Sequence, residues 1–211
     1  MAYEIRQFGE CRSFPTGDVF IAGASDEGDI VLYLGTPPAT VEPDPSKAAI
    51  LVELGTECLG VYTGEDAGEE GSNVLGFARY RNGDDPPSRL IELVRQPNSE
   101  ARSIAAARAM FEAAGFTVAV CGDQAGRIVD RLVRPKYNAA LRFLDEGLAT
   151  ARDMDLTCRM GLGYPDGPIE RIVRGGLANH HEVTQTLFET YGTAAYAPAR
   201  RAVVAKRRET E

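Results

Sequence analysis

Two adjacent histidines, four scattered cysteines and one glycine-rich turn are the groups of this chain whose types could do chemistry, and their spacing limits it. His180 and His181 invite a metal reading. Adjacent residues on a helix point about 100 degrees apart, and no Cys, Asp or Glu cluster with ligand spacing surrounds the pair, so a solvent-facing pair at a helix start is expected. Cys11, Cys58, Cys121 and Cys158 form no C-x-x-C pair and are expected to be inert thiols in a reducing compartment. The turn Ala22-Gly-Ala-Ser-Asp-Glu-Gly-Asp29 follows an apolar run. A dinucleotide site would carry G-x-G-x-x-G there, opening a helix whose N-terminus holds the pyrophosphate. Here Asp26, Glu27 and Asp29 stand where phosphate would sit and a helix has no room, so no cofactor is expected by that route.

The elements that would position such groups change character along the chain. Residues 1–121 read as short strands separated by Gly, Pro and acidic turns: Val19-Phe-Ile-Ala, Ile30-Val-Leu-Tyr-Leu, Ala49-Ile-Leu-Val-Glu-Leu, Val74-Leu-Gly-Phe, Arg89-Leu-Ile-Glu-Leu-Val and Thr117-Val-Ala-Val. Their nearly continuous apolar runs predict a sheet covered on both faces. One helix is expected there, from Glu100 to Ala114, with Ser99 as N-cap and Gly115 as its end. The segments from Pro37 to Pro45 and from Gly64 to Asn73 read as loops in place of crossover helices.

Residues 122–211 read as all helix. Ile128, Val129, Leu132, Val133, Leu141, Leu144 and Leu148 recur at three- and four-residue steps along a long helix starting near Ala125. Thr150 with Asp153, and Asn179 with Glu182, resemble capping boxes, while Pro168 and Pro198 suit first helical positions. A formal net charge of −8 and a single basic cluster, Lys206-Arg-Arg208, argue against nucleic acid as a partner. No apolar run suits a membrane span and the start has no secretory pattern, so a cytoplasmic protein is expected.

The run Gly122-Asp-Gln-Ala-Gly-Arg-Ile-Val-Asp-Arg-Leu-Val-Arg-Pro135, together with Gly161-Leu-Gly-Tyr-Pro-Asp-Gly-Pro168, resembles the helical C-terminal domain of 3-hydroxyacyl-CoA dehydrogenases. The resemblance implies a fold: a reduced Rossmann-like α/β domain, 1–121, without a phosphate-binding loop, followed by the all-α domain, 122–211. Such a reduced domain is similar to the second, degenerate unit of fused 3-hydroxybutyryl-CoA dehydrogenases. In the family a His-Phe-Phe-Asn-Pro string supplies a general base and a Leu-Val-Glu-Val string the Glu that orients it. Glu92 matches that Glu, but no histidine occurs between Met1 and Asn179, and Ala78 or Tyr80 falls on the base position. Neither is a competent base near neutral pH. The family's substrate-touching Asn corresponds to Asp130, and Arg127 stands where the family has Phe.

The resemblance therefore implies a catalytically silent homologue that dimerises through its helical half or binds an active dehydrogenase, another acyl-CoA enzyme or an acyl-CoA. The competing reading is a dehydrogenase with a rearranged site, using NAD, with Glu92 and Asp130 as its acid–base groups. As a relic on a strand, Glu92 is expected to tolerate Gln without loss of stability, and Arg127 to pair with Asp123 or Asp130.

Overall fold

The computed structural model describes residues 2–37 and 40–209 and divides into two compact units, residues 1–81 with 87–127 and residues 82–86 with 128–211. Their division falls six residues after the 121/122 boundary expected from sequence. It also assigns Asn82–Pro86, between two strands, to the helical unit.

The first unit is a six-stranded sheet of β1 (Tyr3–Phe8), β2 (Ile30–Gly35), β3 (Ala49–Glu53), β4 (Val74–Arg79), β5 (Leu90–Arg95) and β6 (Thr117–Gly122), paired in sequence order. The first four strands run parallel, β5 pairs antiparallel to β4, and β6 is parallel to β5. In open α/β sheets a ligand crevice forms where strand order reverses, and this order never does. One face buries Leu32, Leu51, Phe77 and Leu93 beneath Phe14, Phe20 and α3 (Ala101–Ala113). The other buries Ile50, Val52, Val74 and Val94 beneath Val41 and Leu59 on irregular chain and Tyr62 on a single helical turn. The expected loops thus take the place of helices on that face, although Pro38 and Ala39 lie outside the described residues.

Two sequence expectations fail in this unit. Val19–Ala22 is one turn of helix, α1, not a strand. The Asp18 carboxylate accepts the Phe20 N–H at 2.9 Å, and Phe20 stacks between Tyr3 and Phe14 at 4.6 and 4.3 Å, so a cap and aromatic packing decide an ambiguous apolar run. The first strand is instead Tyr3–Phe8, a half-exposed edge carrying Glu4 and Arg6, as edge strands often do. A further one-turn helix, α2, spans Gly60–Thr63. Ser99 does not cap α3; Glu100 holds that position, while Ser99 Oγ accepts the Gln96 N–H.

The second unit packs α4 (Val129–Asp145), α5 (Ala151–Leu162), α6 (Pro168–Gly175), α7 (Leu177–Tyr191) and α8 (Arg200–Glu209) around Tyr137, Leu141, Ile169, Ile172 and Ala202. Helix α4 begins four residues later than the periodicity suggests, because Gly126 and Arg127 adopt φ of 71° and 46° and turn the chain first. Thr150 caps α5 as expected, its Oγ1 accepting the Asp153 N–H at 3.2 Å. Asn179 does not open α7; Gly176 does, and Asn179 lies inside the first turn with its amide donating to Gly175 O. Helix α8 starts at Arg200, two residues beyond Pro198.

The Gly161–Pro168 string is a connector of defined geometry. Only Gly163 uses the left-handed region, at φ 69°, as the cap of α5, whereas Gly161 is helical. Gly167 is required by proximity, since a Cβ there would lie 2.2 Å from the Asp155 side chain. The Asp155 carboxylate in turn accepts the Ile169 and Glu170 N–H groups at 2.8 and 3.1 Å, so α5 caps the start of α6. Among the described residues no helix is long and apolar enough to cross a membrane.

His180 overturns the expectation of a solvent-facing pair, being 1% exposed inside this unit. The Arg134 guanidinium, which can only donate, meets its Nδ1 at 3.2 Å, so the ring is neutral with its proton on Nε2. That proton is donated to Asn138 Oδ1 at 3.0 Å, while Arg134 Nε donates to Asp130 at 2.7 Å. Burial first, then the charges of Arg134 and His181, push the His180 pKa down to about 3 from an ordinary 6.5. Above 6.5 the ring is neutral folded or unfolded; between 6.5 and 3 only the unfolded chain takes up the proton. Stability is therefore expected to fall as pH drops from 6.5 toward 3, with a slope of up to about 1.4 kcal/mol per pH unit. Urea unfolding of wild type and His180→Gln between pH 7 and 5 checks this, and equal slopes in the two proteins would exclude it.

Candidate functional site

The sheet face opposite α3 carries the acidic position singled out from the sequence. Glu92, in the middle of β5, is 3% exposed, and the ladder places Ala78 of β4 and Ala119 of β6 directly across from it. These two small neighbours leave its carboxylate open to a partner from outside the sheet. Arg127 supplies it: Arg127 Nε lies 3.7 Å from Glu92 Oε2, and both side chains are 4% exposed. The same guanidinium donates to Gly55 O and to Glu57 O, while the Gly126 N–H donates to Thr56 O at 2.7 Å. Arg127 is held in the left-handed region, a conformation that costs a non-glycine residue about 1 kcal/mol or more.

Asp123, at the head of that turn, is not the partner of Arg127 that the sequence suggested. Its carboxylate accepts the Leu59 and Gly60 N–H groups at 2.6 and 2.9 Å. Asp130 is not that partner either, since it pairs with Arg134 four residues on, at the start of α4 where an acidic residue is favoured. Glu92 and Asp130 thus stand in different units, each facing an arginine of its own unit.

A second buried carboxylate, Glu53, escaped the sequence reading. At the end of β3 it accepts the Ser13 N–H at 2.7 Å and the Gly35 N–H at 2.8 Å, tying down the chain after β1 and β2. Its only signal was a glutamate closing an otherwise apolar strand. Beside it lies a cleft of about 190 Å³ lined by Glu10, Glu53 and Glu57 with Arg12. Burial, then the nearby Glu53 carboxylate, raises the Cys11 thiol to about 12; burial, then Glu92, raises Cys121 to about 11. Neither is a ready thiolate nucleophile. Among the described residues no group of three or more His, Cys, Asp or Glu side chains is arranged to hold a metal.

Comparison with known proteins decides the lineage. Residues 126–210 match the family described as 3-hydroxyacyl-CoA dehydrogenase, C-terminal domain. Residues 126–210 thus carry the C-terminal domain of the 3-hydroxyacyl-CoA dehydrogenase family. A probable 3-hydroxyacyl-CoA dehydrogenase of Caenorhabditis elegans is 31% identical over 113 residues, 54% of this chain and 36% of the relative. A 3-hydroxybutyryl-CoA dehydrogenase of Mycobacterium tuberculosis is 26% identical over 174 residues, 76% of this chain and 60% of the relative. The chain thus spans less than two thirds of these curated relatives. The crystal structure of Mycobacterium tuberculosis FadB2 shares the fold with a TM-score of 0.71 at 21% identity, covering 87% of this chain and 67% of that one.

Set on the dehydrogenase pattern, the ladder places Ala78 directly opposite the residue that matches the family's Glu, while Tyr80 lies beyond the end of β4. The pair with Arg127 also changes the expected tolerance of Glu92. Glu92→Gln leaves a buried guanidinium without its counter-charge and is expected to destabilise the protein by about 3 kcal/mol or more. Urea denaturation of E92Q, Arg127→Met and the double variant measures the coupling. A single E92Q variant within about 0.5 kcal/mol of wild type, the range of an ordinary surface change, would show that the pair does not hold this face.

Proposed function

We propose that this chain is a catalytically silent relative of the 3-hydroxyacyl-CoA dehydrogenases that works by association. It pairs with a second copy through its helical unit or binds an active dehydrogenase or another acyl-CoA enzyme, with an acyl-CoA as its ligand class. The observation that carries this reading is the surroundings of Glu92: alanine opposite it in the ladder and a permanently charged arginine against its carboxylate. Family-type chemistry needs a group that takes and returns a proton near neutral pH. Ala78 has none to offer, and the fold already uses the charge of Glu92 to balance Arg127.

The residues present do not fit a dinucleotide. After β1 the chain makes only the one turn of α1, and Gly28 serves strand packing, since a Cβ there would come within 2.6 Å of the Tyr3 backbone. Asp26, Glu27 and Asp29 crowd the same turn with negative charge. NADH is therefore expected to bind no tighter than about 10 µM, roughly −7 kcal/mol, in titration calorimetry. Acetoacetyl-CoA reduction is expected to be undetectable. Tight NADH binding with turnover that E92Q lowers would replace this reading with that of a dehydrogenase using Glu92 and Asp130.

Association draws on the apolar side chains that the helical unit leaves outside. Ile169, Ile172 and Leu187 are 6, 2 and 0% exposed and lie inside the unit. Leu156, Met160 and Leu162 on α5 are 49, 80 and 62% exposed, more apolar surface on one short helix than solvent ordinarily meets. The protein is expected to be a dimer at micromolar concentration by light scattering, and Met160→Asp a folded monomer. A wild type that stays monomeric both alone and with an active dehydrogenase would remove the association role.

A further inference from the structure

Between α4 and α5, within the helical unit, lies a groove of about 320 Å³ with almost wholly apolar walls, the volume of roughly ten waters. Lys136, Ala139, Ala140 and Phe143 occupy positions i, i+3, i+4 and i+7 of α4 and so share one helical face. The alanines make a smooth floor because they carry no side chain beyond Cβ. Met154 and Cys158 of α5, four residues apart, form the facing wall, and Leu148 closes the end beside Phe143. Lys136 is the one charged residue among the lining residues.

That lysine lacks the partner its charge calls for. No carboxylate lies within ion-pair distance of Lys136 among the described residues; its ammonium rests 4.1 Å from the ring centre of Tyr164 and 5.5 Å from that of Tyr137. Arg171 lies close enough to add positive charge, although it is itself paired with Asp166. Burial dominates in lowering the ammonium's pKa, and Cys158 opposes it in part. A cation at one end of an apolar trough is complementary to a molecule with an alkyl chain and one anionic head.

We propose that this groove binds a medium-chain fatty carboxylate, with the alkyl chain along Ala139, Ala140 and Phe143 and the carboxylate on the Lys136 ammonium. Seven residues of helix separate Lys136 from Phe143, a span of about 10 Å. This matches an extended chain of about eight carbons and sets the size class. The ligand relieves the cost of a half-buried ammonium as an ion pair does, and its chain replaces water along walls that offer water no hydrogen bonds. The inference needs only the helical unit and stands whether or not the chain is catalytically silent.

Calorimetry with hexanoate, octanoate, decanoate and decanol, below micelle-forming concentrations, tests it on the full chain. Affinity is expected to rise about fourfold per methylene, the factor for burying one CH2, and decanoate is expected to bind at least tenfold tighter than decanol. Lys136→Met should keep the chain-length dependence and lose the preference for decanoate, and the Lys136 pKa, followed by NMR, should rise when decanoate binds. Leu148→Asp, at a position 68% exposed and therefore compatible with folding, should weaken every ligand. Four outcomes would overturn the proposal. One is no saturable decanoate binding by 1 mM, a Kd worth about −4 kcal/mol; another is an undiminished decanoate preference in K136M. A third is tighter, Lys136-dependent binding of decanoyl-CoA, which would assign the anion to coenzyme A phosphates. The fourth is a dimer that L148D dissociates while decanoate binds nothing, which would make a second copy the occupant.

Discussion

The guanidinium of Arg127, inserted against the sheet face that carries Glu92, is the constraint on which the architecture of the first unit depends. One planar group reaches the Gly55 and Glu57 carbonyls and stands 3.7 Å from the Glu92 carboxylate. Asp123, four residues earlier, takes the Leu59 and Gly60 amides. The segment that follows β3 is therefore fastened at both ends across this face, where a doubly wound domain would lay a helix. Leu59 and Tyr62 then cover Val52, Val74 and Val94. A face closed this way needs no crossover helix, so the sheet can be short between strands and still exclude water.

The same device recurs in the helical unit. Arg134, 5% exposed, is neutralised by Asp130 and donates to His180, whose ring passes its proton to Asn138; Asn138 in turn donates to Ala195 O and accepts the Ala199 N–H. Helices α4 and α7 and the chain leading into α8 are thereby joined by a polar chain in which each donor has an acceptor. Buried networks of this kind hold only when fully satisfied. Both positions that the family resemblance marked as acid–base candidates thus have their charge balanced by an arginine of the same unit. It is on this balance of charge that the proposed silent role rests.

Much of the fold was legible in the sequence because it rests on periodicity and punctuation. Five of the six strands, α3, the Thr150 cap and Pro168 at the start of α6 follow from apolar runs, N-caps and proline, and the order of sheet then helices follows from their sequence. What escaped was decided by contacts between distant residues. A turn at Val19–Ala22 depends on stacking with Tyr3, and the late start of α4 depends on Arg127 leaving the helix to reach a carboxylate 35 positions earlier in the chain. The burial of His180 depends on Asn138 and Arg134, on another helix. No local pattern encodes these pairings, and adjacency of His180 to His181 gave no sign that the first would be fully buried and the second partly so.

The family signal is concentrated in residues 126–210 for a physical reason that does not require retained chemistry. The connector between α5 and α6 tolerates little: Gly163 must adopt φ of 69°, Gly167 must lack a Cβ against Asp155, and Asp155 must reach two amides of α6. Each requirement is set by the packing of helices on one another and survives whatever happens at a catalytic base. The sheet unit is constrained differently. Its strands need only apolar side chains of suitable volume, which many sequences supply, and in its glycine-rich turn Gly28 is fixed by the close approach of the Tyr3 backbone. The connector between the helices thus fixes particular residues at particular positions, whereas the sheet accepts many apolar sets, and only the first kind of constraint leaves a specific signature in sequence.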